Sequence, residues 1–499
     1  MYTSNSEAEN KLSLAELIAA GSGDQGNSAI IELQKDAVYE ISEAVQISHR
    51  ISIRGNGAQI RVNGLSGFVI KSSDVTLENL TLSGGVILID IDSDGSLVEN
   101  ISIKQCVLKD YYLTGLRTGS SKSNGVCRNI SVVDCSFAAR ENINEQDEKQ
   151  VVALDMLLLA AHGETDDISH AKLDNVLVER CNLQGPSICN LMLVPGLALN
   201  QDRTPQFNRC SISNILIRNC NLTGSDDTVL AAQANYINNN DCYFENLEAV
   251  NNTCEFGLTG LSASGGSPML GDCDGIYIKN IKFNDNVLCG KPDVGETRTA
   301  IIVSGGGINY YSCSCHNSYV KNMEIQRNSI RNCENGIFLV GGSSMVDSDA
   351  PNELCGNYIE DVVVRNNKLF DVQNCFSFYG ARLEGRRFDW NWGKHHTTQF
   401  WQPHVEDNRV VTTKTCNNHI RNLVCEENHC FGFSYLLHAI GASGRGHGIM
   451  ENNSVVDGIV FRNNTFNGGE NHIYVAHGVF EDWVRDNGGN VADLNLKNI

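Results

Sequence analysis

The chain has 499 residues and a formal net charge of −21, so the field around it repels polyanions, which excludes nucleic acid as a partner and weighs against acidic polymers. No stretch reaches the roughly 18 apolar residues of a membrane span. Forty-six glycines against seven prolines suit a chain of many tight bends whose strand ladders are seldom broken by proline.

The N-terminus, MYTSNSEAENK, has neither a basic start nor an apolar run, so it does not read as a secretory leader. A cytoplasmic location is expected, or a secreted one if a leader was removed. Ser13 to Glu16 read as a capping box opening a short helix through about Ala20, whose apolar face closes the first coil. The following GSGDQG matches a dinucleotide fingerprint but follows a helix where that fingerprint needs a strand, and is rejected. Residues 27 to 100 supply short strands IIEL, VYEI, ISIR and FVIK. Asp90, Asp92, Asp94 and Gly95 resemble the start of a calcium loop, but its twelfth position is Ile101 where a bidentate Glu is needed; an exposed acidic turn is expected.

A nine-residue pattern then recurs: Asn, apolar, any, apolar, any, any, Cys or Asn, any, apolar. It reads NISIKQCVL (100 to 108), NISVVDCSF (129 to 137), NVLVERCNL (175 to 183), NILIRNCNL (214 to 222) and NLEAVNNTC (246 to 254). It continues as NIKFNDNVL (280 to 288), NMEIQRNSI (322 to 330), DVVVRNNKL (361 to 369), NLVCEENHC (422 to 430) and GIVFRNNTF (458 to 466). Such spacing predicts one supersecondary unit per repeat, stacked on its neighbours. Alternating apolar positions give a strand, and the Asn or Cys that follows ends it at a bend, where Asn adopts the left-handed conformation and bonds to the Asn of the next coil. Cys106, Cys135, Cys181 and Cys220 fill that slot in successive repeats, so the nineteen cysteines read as stacked thiols in a reduced core. One domain is expected, with an N-terminal cap at 1–26, coils over 27–478 and a C-terminal cap at 479–499.

Each repeat is followed by a second apolar strand, as in ALDMLLLAAHGE (153 to 164), DTVLAAQA (227 to 234), NGIFLVGGS (335 to 343) and NCFSFYGAR (374 to 382). All should lie side by side in one parallel sheet. Asp155, Asp226, Asp227, Glu255, Glu334 and Glu470 stand where these strands begin; His162, Glu164, Gln233, Arg382, Glu384 and His477 stand where they end. Polar rows at the margins of a packed sheet are where a solenoid builds a cleft. Insertions at 138 to 152, 197 to 213, 289 to 298 and above all 383 to 419 would wall it. The last carries Trp390, Trp392 and Trp401 with Arg386, Arg387, His395, His396 and His404, aromatic faces and fixed donors suited to sugar rings. The same composition also suits an oligomer contact.

These repeats resemble the right-handed parallel β-helix of the pectin-lyase-like superfamily over roughly residues 50 to 478. The resemblance implies an all-β solenoid and a carbohydrate-directed role, without choosing among hydrolases, lyases, epimerases, fructotransferases, tailspikes and adhesins. The GSDD run ending at Asp227 is similar to the Gly-Asp-Asp element of polygalacturonases, and RGHG at 445 to 448 to their Gly-His-Gly element. The first implies an acid role for Asp226 and Asp227; His447 is taken as a substrate contact. Fructan-processing β-helix enzymes also use an acidic pair.

Read from the residues, Asp226 and Asp227 are adjacent carboxylates that cannot both ionise freely, so one pKa should rise toward the range of a general acid. Glu255 stands on the next coil, ~4.8 Å along the stack, as the second carboxyl that glycosidic cleavage needs. A neutral or weakly charged oligo- or polysaccharide is the expected substrate, with no cofactor and no metal. A lyase or epimerase is the alternative, with Arg382, Lys394 or His395 as base and calcium at Asp347, Asp349 and Glu353. A non-catalytic glycan-binding protein is the third reading. Cys313, Cys315 and His316 lack the paired spacing of a zinc site. A homotrimer is compatible with each reading.

Overall fold

In the computed structural model of the chain, the first five residues of each copy of the repeat close a strand of eight residues, from Leu97–Lys104 through Val455–Arg462. The structure describes residues 2–3, 13–20, 29–140, 153–164, 166–198, 205–234, 239–266, 272–292, 298–308, 314–344, 352–384, 413–445, 449–469, 471–481, 490–492 and 495–497. The repeat strands pair in parallel, in order, in a 16-stranded sheet. The strands that follow each repeat form a 24-stranded sheet, and small sheets of three and five short strands run beside them. This is a right-handed parallel β-helix, the sense that parallel crossovers take.

Alternation dictates the faces. In Lys172–Glu179 the residues Leu173, Val176 and Val178 are buried while Lys172 and Asn175 reach solvent. The expected cap is present: Ser13 and Glu16 exchange capping-box hydrogen bonds, and Leu14 and Ile18 of helix Leu14–Ala20 are buried. At the other end, Asn490–Ala492 and Asn495–Lys497 extend the 16-stranded sheet.

The bend chemistry differs from expectation in its position. The left-handed residues are the first Asn of each repeat, such as Asn100 (φ 61°) and Asn322 (φ 59°), and the sixth position, such as Asp134 (φ 55°) and Arg327 (φ 56°). The repeat strand therefore begins three residues before its Asn, which kinks it. The seventh residue carries the buried ladder instead. Asn252, Asn286, Asn328, Asn367 and Asn428 each donate a side-chain N–H to the Oδ1 of the next, ending at Asn464, at 2.9–3.1 Å. A second ladder of the leading Asn residues runs along the surface, as from Asn129 to Asn100 at 3.0 Å.

Cys106, Cys135, Cys181 and Cys220 continue the buried slot toward the N-terminus, each at most 3% exposed. One pair departs from the reduced stack: Cys355 and Cys416, on adjacent short strands, are joined as a disulfide. Their side chains project outward, which is why they differ from the thiols enclosed among apolar neighbours.

Where the two large sheets meet, Gly265, Gly305, Gly341 and Gly380 form a column without side chains. A Cβ on Gly341 would stand 2.5 Å from the Gly380 carbonyl and 2.7 Å from that of His419. Both obstacles are backbone, so neither can rotate away. Gly341→Ala is expected to cost about 2–3 kcal/mol, read as a lowered midpoint in urea; an unchanged midpoint would show that the sheets can part.

Candidate functional site

All the long strands do lie side by side in the 24-stranded sheet, including Leu154–Gly163, Ser225–Gln233 and Lys368–Glu384. At their N-terminal margin the chain packs so closely that a side chain at Gly257 would run into the backbone of Asp226. The Leu258 N–H donates to the Asp227 carbonyl at 3.0 Å, locking the two coils in register. Three carboxylates are thereby held on neighbouring coils. The Asp226 side chain is 49% exposed and faces Lys291, from one coil further on, at 3.5 Å. Asp227 accepts from the Thr228 hydroxyl at 3.0 Å. Glu255 is half-buried in Thr253–Phe256.

Asp155, also expected at this margin, is enclosed instead. It is 0% exposed, with its carboxylate bonded to the Tyr111 hydroxyl and to Asn190 Nδ2 at 2.6 Å. It braces the corner between two strands and touches no cleft, because its side chain points into the coil at the start of strand Leu154–Gly163.

The C-terminal margin is divided. Glu164 is exposed, Gln233 half-buried, and the Arg382 guanidinium lies 4.9 Å over the Phe338 ring and 5.5 Å over Tyr379. His162 is only 5% exposed and sits in a cluster that sequence reasoning had missed. Asp90 and Asp92, expected in an exposed acidic turn, are each 6% exposed in strand Ile87–Asp92. The cause is register: Asp90 stands beside Arg117 of the next coil, which binds it through two N–H donors at 2.9 and 2.6 Å. Asp92 accepts from the Ser121 backbone N–H and hydroxyl. Only Asp94 occupies the turn, bridged by Lys71 and Lys122.

Two groups here titrate in opposite senses. Burial pushes Asp155 up to about 6, with hydrogen bonds from Tyr111 and Asn190 opposing. Burial, then the neighbouring Arg117, pushes His162 down to about 4. Asp155 therefore contributes stability that is full below its unfolded value near 4 and lost as pH rises through about 6. His162 contributes stability that is full above about 6.5 and lost as pH falls toward 4. Each amounts to about 3 kcal/mol, so the two slopes oppose between pH 4 and 6.5. Asp155→Asn should gain on the parent by about 3 kcal/mol across that window as pH rises. Parallel curves of stability against pH for the two proteins would refute it.

Between the margins, one outward row crosses successive coils: Ala231, Ser262, Ile302, Phe338, Ser377, His438 and Tyr474. His438 lies 4.6 Å from the Tyr435 ring and 5.8 Å from Tyr474, which is 43% exposed. The signal for these residues was present, since every second residue of a strand that is apolar on both faces must point outward.

Arg386, Trp390, Trp392, His395, Trp401 and His447 lie outside the described residues, as do Asp347, Asp349 and Lys394; for Glu384 only the backbone is described. The strand leading into the tryptophan-bearing segment ends at Glu384, at the margin opposite Asp226. Roughly 30 Å of strand separates the two margins. The sequence had placed both in one cleft; the described residues join them only through the outer face between.

An open depression of about 420 Å³ lies elsewhere, on the repeat-strand sheet, lined by Lys282, Glu324 and Asp361 among others. It is remote from the carboxylates.

No protein-family model and no curated protein matches this chain. Among solved structures it is similar to a family 28 exopolygalacturonase from Yersinia enterocolitica, with 10% identity over 88% of this chain and 73% of that one, at a TM-score of 0.31. It is also similar to the A-module of a mannuronan C-5 epimerase from Azotobacter vinelandii, with 12% identity over 94% and 93%, at 0.22. A surface adhesin of Streptococcus pneumoniae matches with 10% identity over 96% and 94%, at 0.25. These likenesses carry no argument beyond the solenoid that the strand pairing already shows.

Proposed function

We propose that the protein is a carbohydrate-active enzyme that breaks or transfers a glycosidic bond at the corner formed by Asp226, Asp227 and Glu255. The observation that carries this reading is the placement of solvent-reachable carboxylates on successive coils at one margin of the sheet, with Lys291 at 3.5 Å from Asp226. Asp226, held by that ammonium, supplies negative charge to an oxocarbenium-like centre, and Glu255 supplies the proton to the leaving oxygen. The saccharide runs from this corner across the outer face toward His438 and Tyr474, where ring faces and polar edges alternate. Net charge of −21 favours a neutral polymer over a uronate.

A screen of fructans, glucans and uronates with purified protein tests the reading, with and without chelator. New reducing ends or transfer products that survive chelation support it. An absorbing unsaturated product that depends on divalent cation would replace it with a lyase. Binding without turnover would favour a glycan-binding protein, a reading supported by the separation of the carboxylates from Arg382 and Tyr474 across the sheet.

A further inference from the structure

The five-stranded sheet carries chemistry that this function does not use. Its short strands pair in parallel from Cys273–Asp274 to Cys315–His316, Asn352–Cys355 and Thr413–Cys416. Cys273, Cys315, Leu354 and Thr415 form the inward row, all buried. The next residue of each strand points outward, which sets His316, Cys355 and Cys416 in line on three adjacent strands. Glu353 precedes the inward Leu354 and so shares the outer face. One donor atom each from His316, Glu353 and Cys355 lies within 4.8 Å of the others, and all three side chains are partly open to solvent.

In this structure Cys355 is bound to Cys416, so its sulfur is not a ligand. We propose that reducing this disulfide creates a zinc site made of the His316 imidazole, the Glu353 carboxylate and the two thiolates of Cys355 and Cys416. Zinc is the metal such a mixed nitrogen, oxygen and sulfur set selects, as a borderline-soft ion without a geometric preference of its own. Its tetrahedron of ~2.0–2.3 Å bonds has edges of roughly 3.3–3.8 Å. Side-chain rotations that draw the His316, Glu353 and Cys355 donors together by about an ångström, with the freed Cys416 sulfur swinging away from Cys355 to the fourth corner, close the site; the strand register keeps all four residues on one outer face. The step balances: a dithiol gives two electrons and two protons to the Cys355–Cys416 bond and becomes a cyclic disulfide. Zinc then displaces the two thiol protons to solvent. Disulfide and metal exclude each other, so the outer face of this sheet has an oxidised, metal-free form and a reduced, metal-bound form.

The test uses the full chain, reduced with a phosphine, desalted without oxygen and titrated with Co2+ as the spectroscopic probe. One Co2+ per chain is expected, with thiolate-to-cobalt absorption in the near ultraviolet and tetrahedral bands in the visible, both displaced by Zn2+. The oxidised chain should show neither. His316→Ala, a substitution at a partly exposed surface position, should weaken binding by about 10–100-fold, and Cys355→Ser, which leaves one of the two thiolates, should at least halve the thiolate band. Zinc should also lower the dithiol concentration that half-reduces the disulfide. The proposal is overturned if the reduced chain lacks the thiolate band, if the oxidised chain binds equally well, or if His316→Ala binds like the parent while melting at the same temperature.

Discussion

Replacing Asn328 with leucine is expected to destabilise the solenoid by about 4–6 kcal/mol, more than any surface substitution described above. Asn328 Oδ1 accepts both the backbone N–H of Asn286 at 2.9 Å and its side-chain N–H at 3.1 Å. Its own Nδ2 donates to the Phe283 carbonyl at 2.7 Å. Leucine offers none of these, so two donors and a carbonyl are stranded in a region where Asn286 and Asn328 are at most 1% exposed. Each stranded group costs about 1–3 kcal/mol. Asn252→Cys should be milder, because cysteine already serves that slot on the preceding coils from Cys106 to Cys220, where a thiol can take the bond: the Cys106 N–H donates to Cys135 Sγ at 3.5 Å. Urea unfolding followed by far-ultraviolet circular dichroism separates the cases. An Asn328→Leu protein within about 1 kcal/mol of the parent would mean that these amides find other partners.

The repeat was legible because stacking makes every coil solve the same problem. Apolar alternation set the strands, and the Cys or Asn at the seventh position marked an inward slot that the structure confirms from Cys106 to Asn464. The left-handed residue was misplaced by one position because Asn is common at positions one, six and seven, and composition alone does not say which of them bends. Asp90 and Asp92 were misread for a different reason. An acidic run looks like a turn until register brings Arg117 beside it, and register between coils separated by insertions of unequal length is not written in local sequence. The same limit applies to the site. Sequence placed carboxylates and aromatic residues at the two ends of the long strands, but which margin each occupies across several coils follows from pairing, as does the enclosure of Asp155 by Tyr111 and Asn190.

Substituting both Asp226→Asn and Asp227→Asn should lower kcat on the saccharide substrate by about 10²–10⁴-fold, the range that a lost acid or base accounts for. The fold should barely respond. Asp226 is half exposed, and its pairing with Lys291 is of the surface kind worth at most about 1 kcal/mol. Glu255→Gln should fall by a comparable factor. The triple substitution should fall little further than the worse of the two, because groups acting in one step are strongly non-additive. Lys291→Met tests the assigned roles more finely. It removes the cation beside Asp226 without touching Glu255, and is expected to lower kcat by less than the double substitution does while leaving the unfolding free energy within about 1 kcal/mol of the parent. Turnover that persists in the triple variant would locate the chemistry elsewhere on the solenoid, and the carboxylate corner would then be a structural bend with its charge turned to water.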